Sequence, residues 1–552
     1  MIKDVLAVAL TRAAKDAQER GKLVNVELPA VVVECTQRPE HGDYASSLPL
    51  KLARGMGMSP LEIAKRLLDL LPALPEVEKV SIAPPGFINF TLSARWLATQ
   101  VDAILKAGPG FADSDRGRNA TVQVEFVSVN PTGPLHVGHG RGAVLGSTLA
   151  NVLAACGYAV ENEYYVNDAG SQIEAFYRSL LARYQQHFGL AAEMPANGYM
   201  GNYMVELAAS VAAEHGRKFL EMPGDAALKE LGEIGISRMI DQISTDLELL
   251  GVSFNVWFRE KTLFETGLYA KVMKLLADRG YVANKEGATW FVSTALGENK
   301  DNVLVRSDGS PTYFASDVAY HYNKFIERGF SKVIDIWGAD HQGHVSRVKA
   351  AAGALGIAPE RLTVIITQMV SLRRGDELVK VSKRSGELIT LAELVDEVGA
   401  DACRFFFLSR CADSQMDFDM ELAKKQSSDN PVYYVQYAHA RIASILRLAS
   451  EKGIDYSAGD VSLLTAEQEV ALIRKMLLLP EALETVSLSL EPHHLPYYAT
   501  ELATAFHDFY TNCRVVSSDL RLTAARLKLV NAARIALARV LHLMGMTAPE
   551  KM

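Results

Sequence analysis

The spacing of apolar and polar positions divides the chain into three regions with different predicted architectures. From the N-terminus to about Gly21 the apolar residues recur every three or four positions, which is typical of a helix, and "SPLEIAKRLLDLL" repeats the pattern. "LVNVELPAVVVEC" alternates as a strand does, and "VEKVSIAPPGFINFTLS" predicts two strands around a Pro-Pro-Gly turn. We predict an α+β domain over residues 1–105, followed by the linker "KAGPGFADSDRGRN".

The second region, residues 116–425, alternates short apolar runs with helical stretches. The strand-like runs are "TVQVEFVSV", "AVENEYYVND", "TWFVST", "KVIDIWGAD" and "RLTVIITQMV". Such alternation predicts a Rossmann-like, doubly wound parallel sheet, an α/β fold in which ligands bind beyond the carboxyl ends of the strands. Residues from about 170 to 256 are largely helical and predict an insertion into that sheet.

The third region, residues 428–552, has no strand pattern and predicts an all-helical domain. In its last helix five apolar residues recur every three or four positions and line one face. They are Leu529, Ala533, Leu537, Val540 and Met544.

Composition indicates a globular chain with a reducing, cytoplasmic location. The 552 residues are 49% hydrophobic, enough for the cores of about three or four domains. Five scattered cysteines form no C-x-x-C pair, which predicts neither disulfides nor protein-bound zinc. We find no secretory leader pattern and no apolar run of ~18 residues, and therefore expect no membrane anchor.

The charge distribution argues mildly against a chain coated in nucleic acid, since the net charge is −8. One basic run in the third region is either a solvated helix face or a local phosphate-binding surface. Its members are Arg514, Arg521, Arg526, Lys528, Arg534 and Arg539.

The stretch "VEFVSVNPTGPLHVGHGRG" carries the candidate chemistry. A strand ends in a Gly-Pro turn, and His136 and His139 stand at a predicted helix start, where backbone N–H groups and the helix dipole favour phosphate. Gly138 and Gly140 have no Cβ to hold a nucleotide away from the backbone. The imidazoles can donate hydrogen bonds to phosphate oxygens as charge builds. A nucleoside triphosphate site is predicted, and the alternative is a turn without a ligand.

His136-Val137-Gly138-His139 resembles the HIGH signature of class I aminoacyl-tRNA synthetases. The second signature of that class, KMSKS, is similar to Lys380-Val381-Ser382-Lys383-Arg384, where Val replaces Met and Arg replaces the last Ser. Two lysines there would neutralise pyrophosphate charge. The resemblance implies that His136, His139, Lys380 and Lys383 are catalytic.

The run "DIWGADHQGH", which lies between the two signatures, resembles the class I segment that contacts the adenosine ribose; its alternative is a plain turn ending a strand. Mg²⁺ would arrive with ATP. The resemblance implies an ATP-binding set of Pro134, His136, Gly138, His139, Gly338, Asp340, Val381, Ser382 and Lys383.

Within class I, the chain resembles the arginyl-tRNA synthetases over nearly its whole length. The similar segments are "RPEHGDYASSLPLKLAR", "GFINF", "VEFVSVNPTGPLHVGH", "PTYFASDVAYH" and "AARIALARVLHLMGMTAPEKM". The resemblance implies ATP, L-arginine and tRNA(Arg) as substrates, an N-terminal domain at the tRNA elbow, a C-terminal anticodon-binding domain and a monomer.

A guanidinium presents five N–H donors in a planar fork, so its pocket needs carboxylates and other oxygen acceptors. On the resemblance, Glu125 and Asn130 hold the amino end or backbone of arginine, and Tyr313 and Asp317 line the side-chain slot. Spaced four apart, Tyr313 and Asp317 share one helical face; the alternative is an ordinary helix start with a surface acid. His341 or Gln342 would also face the substrate.

The predicted reaction is arginine–tRNA ligation without a protein nucleophile, so catalysis rests on orientation and charge stabilisation. One alternative is a small-molecule nucleotidylyltransferase, which needs no helical domain of this size. Another is a synthetase-like chain that binds tRNA without catalysis. Loss of a signature histidine or lysine would favour the latter, and all are present.

Overall fold

The computed structural model describes residues 1–36, 38–379 and 388–552. The first region is a four-stranded antiparallel sheet, in the order β1-β2-β4-β3, packed with four helices. Its elements are α1 Ile2–Glu19, β1 Glu34–Cys35, β2 Tyr44–Ser46, α2 Leu48–Met56, α3 Pro60–Leu68, β3 Val77–Ala83, β4 Phe87–Leu92 and α4 Ala94–Ala107. The α+β prediction is confirmed.

One predicted strand of this region is mostly wrong. "LVNVELPAVVVEC" is strand only at its last two residues, β1. Pro29 has no N–H to donate to a neighbouring strand. The amide of Gln18 donates instead to the carbonyls of Val24, at 3.2 Å, and Val26, at 2.8 Å. The segment is therefore held to α1 and not within the sheet.

The second region is built on a five-stranded parallel sheet in the order β12-β11-β5-β6-β7. Its elements are β5 Thr121–Glu125, α5 Val137–Ala155, β6 Ala159–Val166, α6 Ser171–His187, α7 Asn202–His215, α8 Lys218–Glu221, α9 Gly224–Glu248, β7 Val256–Arg259, α10 Lys261–Glu265, α11 Leu268–Asp278, β8 Val282–Lys285, β9 Ala288–Phe291, β10 Asn302–Val305, α12 Tyr313–Tyr322, β11 Lys332–Gly338, α13 Val345–Ala354, β12 Leu362–Thr367, β13 Val370–Arg374, β14 Glu377–Val379, α14 Leu391–Val398, α15 Ala400–Leu408, β15 Met416–Asp419 and α16 Met420–Lys424. The Rossmann-like, doubly wound prediction is confirmed. The direction of strand addition reverses between β5 and β11, which makes their carboxyl ends the switch point where ligands bind.

The membership of the parallel sheet departs from the prediction at two strands. The run "TWFVST" supplies β9, which belongs to a separate antiparallel sheet in the order β10-β9-β8. The fifth parallel strand is β7, which the apolar pattern did not predict. Both strands are four residues long, and an apolar pattern of that length does not identify the neighbour with which a strand pairs.

Helices α6 to α9 lie between β6 and β7 and share a hydrophobic core of their own. Its largest members include Phe176, Leu180, Tyr184, Met204 and Leu231. This segment is therefore a helical unit inserted between two neighbouring strands of the sheet, and it begins after the carboxyl end of β6.

The third region is a bundle of five helices. They are α17 Pro431–Glu451, α18 Glu467–Met476, α19 Leu479–Ser489, α20 His494–Asn512 and α21 Leu520–Leu543. The predicted apolar stripe is confirmed, because all five of its side chains are fully buried. Within the described ranges, no helix is both long enough and apolar enough to cross a membrane.

The six residues of the basic run in this bundle differ in whether they make ion pairs within the protein. Three of its six members make ion pairs inside the protein and are largely buried. The pairs are Arg526 with Glu469, Lys528 with Asp102, and Arg539 with Asp113. The last two tie α21 to α4 and to the linker. Neither alternative from the sequence, a solvated face or a phosphate surface, holds for these three residues.

Candidate active site

A cavity of about 950 Å³ lies at the switch point of the parallel sheet. Most of the residues predicted from the sequence line it: Glu125, Asn130, Pro134, His136, Gly138, His139, Tyr313, Asp317, Gly338, Asp340 and His341. Gln342 is not among the lining residues. Lys380, Val381, Ser382 and Lys383 lie outside the described residues.

The two signature histidines form one unit at the start of α5. His136 is the N-cap, and its Nδ1 accepts a hydrogen bond from the backbone N–H of Gly138 at 3.2 Å. The Nδ1 of His139 accepts from the backbone N–H of His136, also at 3.2 Å, and the rings stack with centroids 3.5 Å apart. Because each Nδ1 accepts, the ring proton of a neutral imidazole resides on Nε2.

Burial keeps both imidazoles neutral. It lowers the pKa of His136, and burial together with His136 lowers the pKa of His139 to about 3. Near pH 7 each ring is therefore a hydrogen-bond donor through Nε2 and not a cation. The pair can bind phosphate oxygens through dipoles, and the full positive charges would have to come from elsewhere.

The glycines of this segment have different roles. A Cβ on Gly138 would lie 3.2 Å from Cε1 of His136, so Gly138 keeps the imidazole close to the helix start. The expectation that Gly140 faces the nucleotide is wrong, because its Cβ would lie 2.6 Å from Cδ1 of Leu391 and 3.2 Å from Phe407 in the core. Gly142, two residues further along α5, borders the cavity instead.

Beneath the cavity, two carboxylates share one buried lysine. Glu125 and Asp335 are register partners on β5 and β11. The Lys324 ammonium donates to Asp335 Oδ1 at 2.8 Å and to Glu125, and His321 Nε2 lies 2.9 Å from Asp335 Oδ2. Burial opposes ionisation, yet Lys324 and His321 hold the pKa of Asp335 down to about 2, whereas burial raises that of Glu125. A substrate that contacts Glu125 must therefore share its carboxylate with Lys324.

The predicted arginine slot lies at the first turns of α12. Thr312 caps this helix through the Ala315 N–H, which sets Tyr313 and Asp317 on the cavity side. The Asp317 side chain is 27% exposed, and its Oδ2 contacts Nε2 of His344. His344, which the sequence did not suggest, also lines the cavity.

Glu260 is a second carboxylate of this slot that the sequence analysis missed. It follows β7 directly, lines the cavity, and is only 4% exposed. Burial raises its pKa to about 7, and the nearby carboxylates of Asp317 and Asp168 add to the shift. The only local signal is an acid after the aromatic run "VWF", and that run was not identified as a strand of the sheet.

The loop after β11 supplies the other predicted contacts. A Cβ on Gly338 would lie 2.5 Å from Oδ1 of Asp340, so only glycine lets that carboxylate fold against the chain. Of the two alternatives, His341 borders the cavity and Gln342 does not. Asn130 also reaches the cavity, and its amide donates to Gln172 of α6.

Within the described ranges, one group of side chains has the spacing of metal ligands. It comprises Glu491, His493 and His494, around the start of α20. None of these residues lines the cavity.

Three family profiles match the chain, in the same order as its three structural regions. Residues 1–92 match "Arginyl tRNA synthetase N terminal domain", residues 100–407 match "tRNA synthetases class I (R), catalytic domain", and residues 435–552 match "DALR anticodon binding domain".

Similar proteins extend over the full length. The chain is 58% identical over 551 residues to an arginine–tRNA ligase of Dehalococcoides mccartyi, covering 100% of this chain and 99% of that one. It is 47% identical to an arginine–tRNA ligase of Moorella thermoacetica, covering 99% and 98%. The solved Thermus thermophilus arginyl-tRNA synthetase has the same fold, with a TM-score of 0.78 at 24% identity and complete coverage of both chains. The signature helix start, the acid-lined slot and these full-length matches agree, and the chain belongs to the class I arginyl-tRNA synthetases.

Proposed function

We propose that the cavity activates L-arginine with ATP and then passes the arginyl group to tRNA(Arg). The observation that carries the proposal is one cavity lined by two groups of different chemistry. The start of α5 presents neutral imidazole donors, and Asp317, Glu260 and Tyr313 present acceptor oxygens. The first suits a triphosphate and the second suits a guanidinium.

In the first step a carboxylate oxygen of arginine attacks the α-phosphorus of ATP. A P–O bond forms, the bond to the β-phosphate oxygen breaks, and pyrophosphate leaves with its electron pair, giving arginyl-adenylate. His136 and His139 donate Nε2–H to phosphate oxygens as negative charge develops. Since these rings are neutral, Lys380 and Lys383 are assigned the compensating positive charge.

The nucleotide is assigned to the helix start and to the loop after β11. Gly138 and Pro134 would pack against it, Asp340 would accept from the ribose hydroxyls, and Val381 and Ser382 would contact it from the second signature. Mg²⁺ prefers oxygen ligands and keeps much of its water, and imidazoles suit it poorly. We therefore propose that it enters on the phosphate oxygens of ATP.

Arginine specificity is assigned to the two acids of the slot. Asp317 and Glu260 offer four acceptor oxygens to the five donors of a guanidinium, an arrangement that the compact ammonium of lysine does not match. Tyr313 would pack beside the side chain, and Glu125 and Asn130 would hold the amino end. His341 is assigned a substrate contact in preference to Gln342.

In the second step a ribose hydroxyl of the terminal adenosine of tRNA attacks the arginyl carbonyl, and AMP leaves. We assign residues 1–105 to contact with the tRNA elbow, 116–425 to catalysis and 428–552 to anticodon binding. A monomer is proposed from the family resemblance, and a cytoplasmic location from the five scattered cysteines.

Arginine-dependent exchange of pyrophosphate with ATP, measured with and without tRNA, tests the proposal. We expect exchange that requires arginine, and esterification of tRNA(Arg) in a coupled charging assay. Exchange with another small molecule and no charging would favour a nucleotidylyltransferase. Binding of tRNA without exchange under either condition would favour a non-catalytic chain.

A further inference from the structure

Arg141 joins the signature helix to a distant part of the catalytic region. It follows His139 by two residues in α5, and its side chain is fully buried. Its guanidinium donates to three backbone carbonyls and makes no ion pair with a described residue. The Nη1 group donates to Gln368 at 3.0 Å and to Ser414 at 2.8 Å, and Nη2 donates to Cys411 at 2.7 Å.

These carbonyls stand at the entrance of one small sheet. Gln368 lies two residues before β13, and Ser414 lies two residues before β15; the two strands pair in parallel, with β14 on the other side of β13. The two entering segments also bond to each other, from Gln368 N–H to the Ala412 carbonyl at 2.9 Å. In sequence, Lys380 directly follows the end of β14.

The other flank of the second signature is tied to the same helix start. Thr390 forms an isolated antiparallel bridge with His136, and the Leu391 N–H donates to the Leu135 carbonyl at 2.8 Å. Gly140 permits this approach, since a Cβ there would lie 2.6 Å from Leu391 Cδ1. The flank at Thr390 therefore contacts the helix start directly, and the flank at β14 is linked to it through β13 and Arg141.

The choice of arginine at this site is informative. Burial of a cation is unfavourable unless its donors are bonded, and here both terminal nitrogens are bonded while Nε has no partner among the described residues. A lysine ammonium has neither the reach nor the planar fork to bond carbonyls in two segments at once. The Arg141 side chain fixes the relative position of these segments and neutralises no charge, because its partners are uncharged main-chain oxygens. Burial lowers the pKa of Arg141, in keeping with a cation held by dipoles.

We propose that Arg141 is a positioning residue that holds the small sheet of β13, β14 and β15, from which the chain runs into the second signature, against the signature helix α5. The inference rests on the roles assigned above to Lys380 and Lys383. Arg141 itself touches no reacting atom; it acts through the sheet from which the second signature continues. Since a displacement of about 1 Å can lower a rate by about 10²-fold, loosening this contact should slow adenylate formation while ground-state binding is retained.

The test compares Arg141→Lys with Arg404→Lys. Arg404 is an equally buried arginine that donates to the Leu250 carbonyl at 2.6 Å and to Ser147 Oγ of α5 at 2.9 Å, and it makes no hydrogen bond to Gln368, Cys411 or Ser414. Single-turnover adenylate formation, the KM for arginine and the melting temperature are measured for both. We expect both variants to melt lower, and Arg141→Lys alone to form adenylate about 10- to 100-fold more slowly, with an arginine KM within about twofold.

A double-mutant cycle with Lys383→Ala separates positioning from general damage. If Arg141 acts through the second signature, Arg141→Lys should slow the Lys383→Ala enzyme by less than about threefold. Full additivity, or equal slowing by Arg404→Lys, would overturn the inference while leaving the proposed function intact. A normal rate in Lys383→Ala alone would instead remove the assigned role of that lysine, and the inference with it.

If Arg141→Lys does not fold, Gly140→Ala provides a second route. Its new Cβ would displace Leu391 on the opposite flank, which should slow adenylate formation. Leu391→Ala, placed in the same chain, removes the carbon at 2.6 Å and leaves the Phe407 ring at 3.2 Å, a contact that a shift of a few tenths of an ångström relieves, so it should restore most of the rate. Slow turnover that this second change does not relieve would contradict positioning through the flanks.

Discussion

Replacing Asp317 with Asn tests the arginine slot most directly. The change keeps the shape of the side chain and an oxygen that can still meet His344 Nε2, but it removes the negative charge. Loss of a partner costs about 3–5 kcal/mol for a fully buried pair and about 1 kcal/mol or less for an exposed one. With Asp317 27% exposed, we expect an intermediate loss of about 2 kcal/mol.

That loss corresponds to an increase of about 30-fold in the KM for arginine, because each 1.4 kcal/mol is about tenfold. Glu260 remains in the slot and limits the effect. The KM for ATP should change by less than about twofold, since the nucleotide is assigned to the α5 start and the loop after β11. Discrimination against lysine should fall as well, because fewer acceptors match the guanidinium fork.

The assay is pyrophosphate exchange, with the KM for arginine and for ATP measured in wild type, Asp317→Asn and Asp308→Asn. Asp308 is an exposed aspartate just before the same helix; it accepts from the Ser310 N–H and does not line the cavity. An arginine KM unchanged in Asp317→Asn, or raised equally by Asp308→Asn, would place the specificity pocket elsewhere.

Three further predictions follow from the site and the bundle. His136→Ala and Lys383→Ala should each lower the rate of adenylate formation about 10²-fold or more, with little change in arginine binding; near-normal single-turnover rates would remove their assigned roles. Burial raises the pKa of Glu260 to about 7, so its carboxylate protonates as the pH falls through 7 and the KM for arginine should rise from pH 8 to pH 6. If Glu260→Gln keeps the pH dependence of the wild-type KM, protonation of Glu260 is not its cause. If the unpaired basic residues of 428–552 contact tRNA phosphates, tRNA affinity should fall steeply with salt in filter binding, and salt-independent binding would overturn that assignment.

Some residues of the site could be predicted from their near neighbours in the sequence, and others depend on contacts between distant segments. His136, Gly138, His139, Tyr313 and Asp317 could be predicted because short sequence motifs place them at helix starts, where neighbouring positions decide what a side chain faces. Glu260 could not, since it follows β7, a strand that the apolar pattern did not predict. His344 ends the quoted run "DIWGADHQGH", but its contact with Asp317 is a tertiary contact that the run does not show. The second-signature lysines were predicted by resemblance and lie outside the described residues.

The sequence by itself determined the elements whose stability depends on near neighbours. The buried stripe of α21, the helix start at His136 and the alternation behind the doubly wound sheet all follow from periods of two or of three to four residues. Only the tertiary structure decided which strand joins which sheet, which core residue Gly140 must clear, and which acids neutralise Arg526, Lys528 and Arg539. Those outcomes depend on register and on the packing of segments from about ten to more than four hundred positions apart, and a local period carries no information about which segments pair.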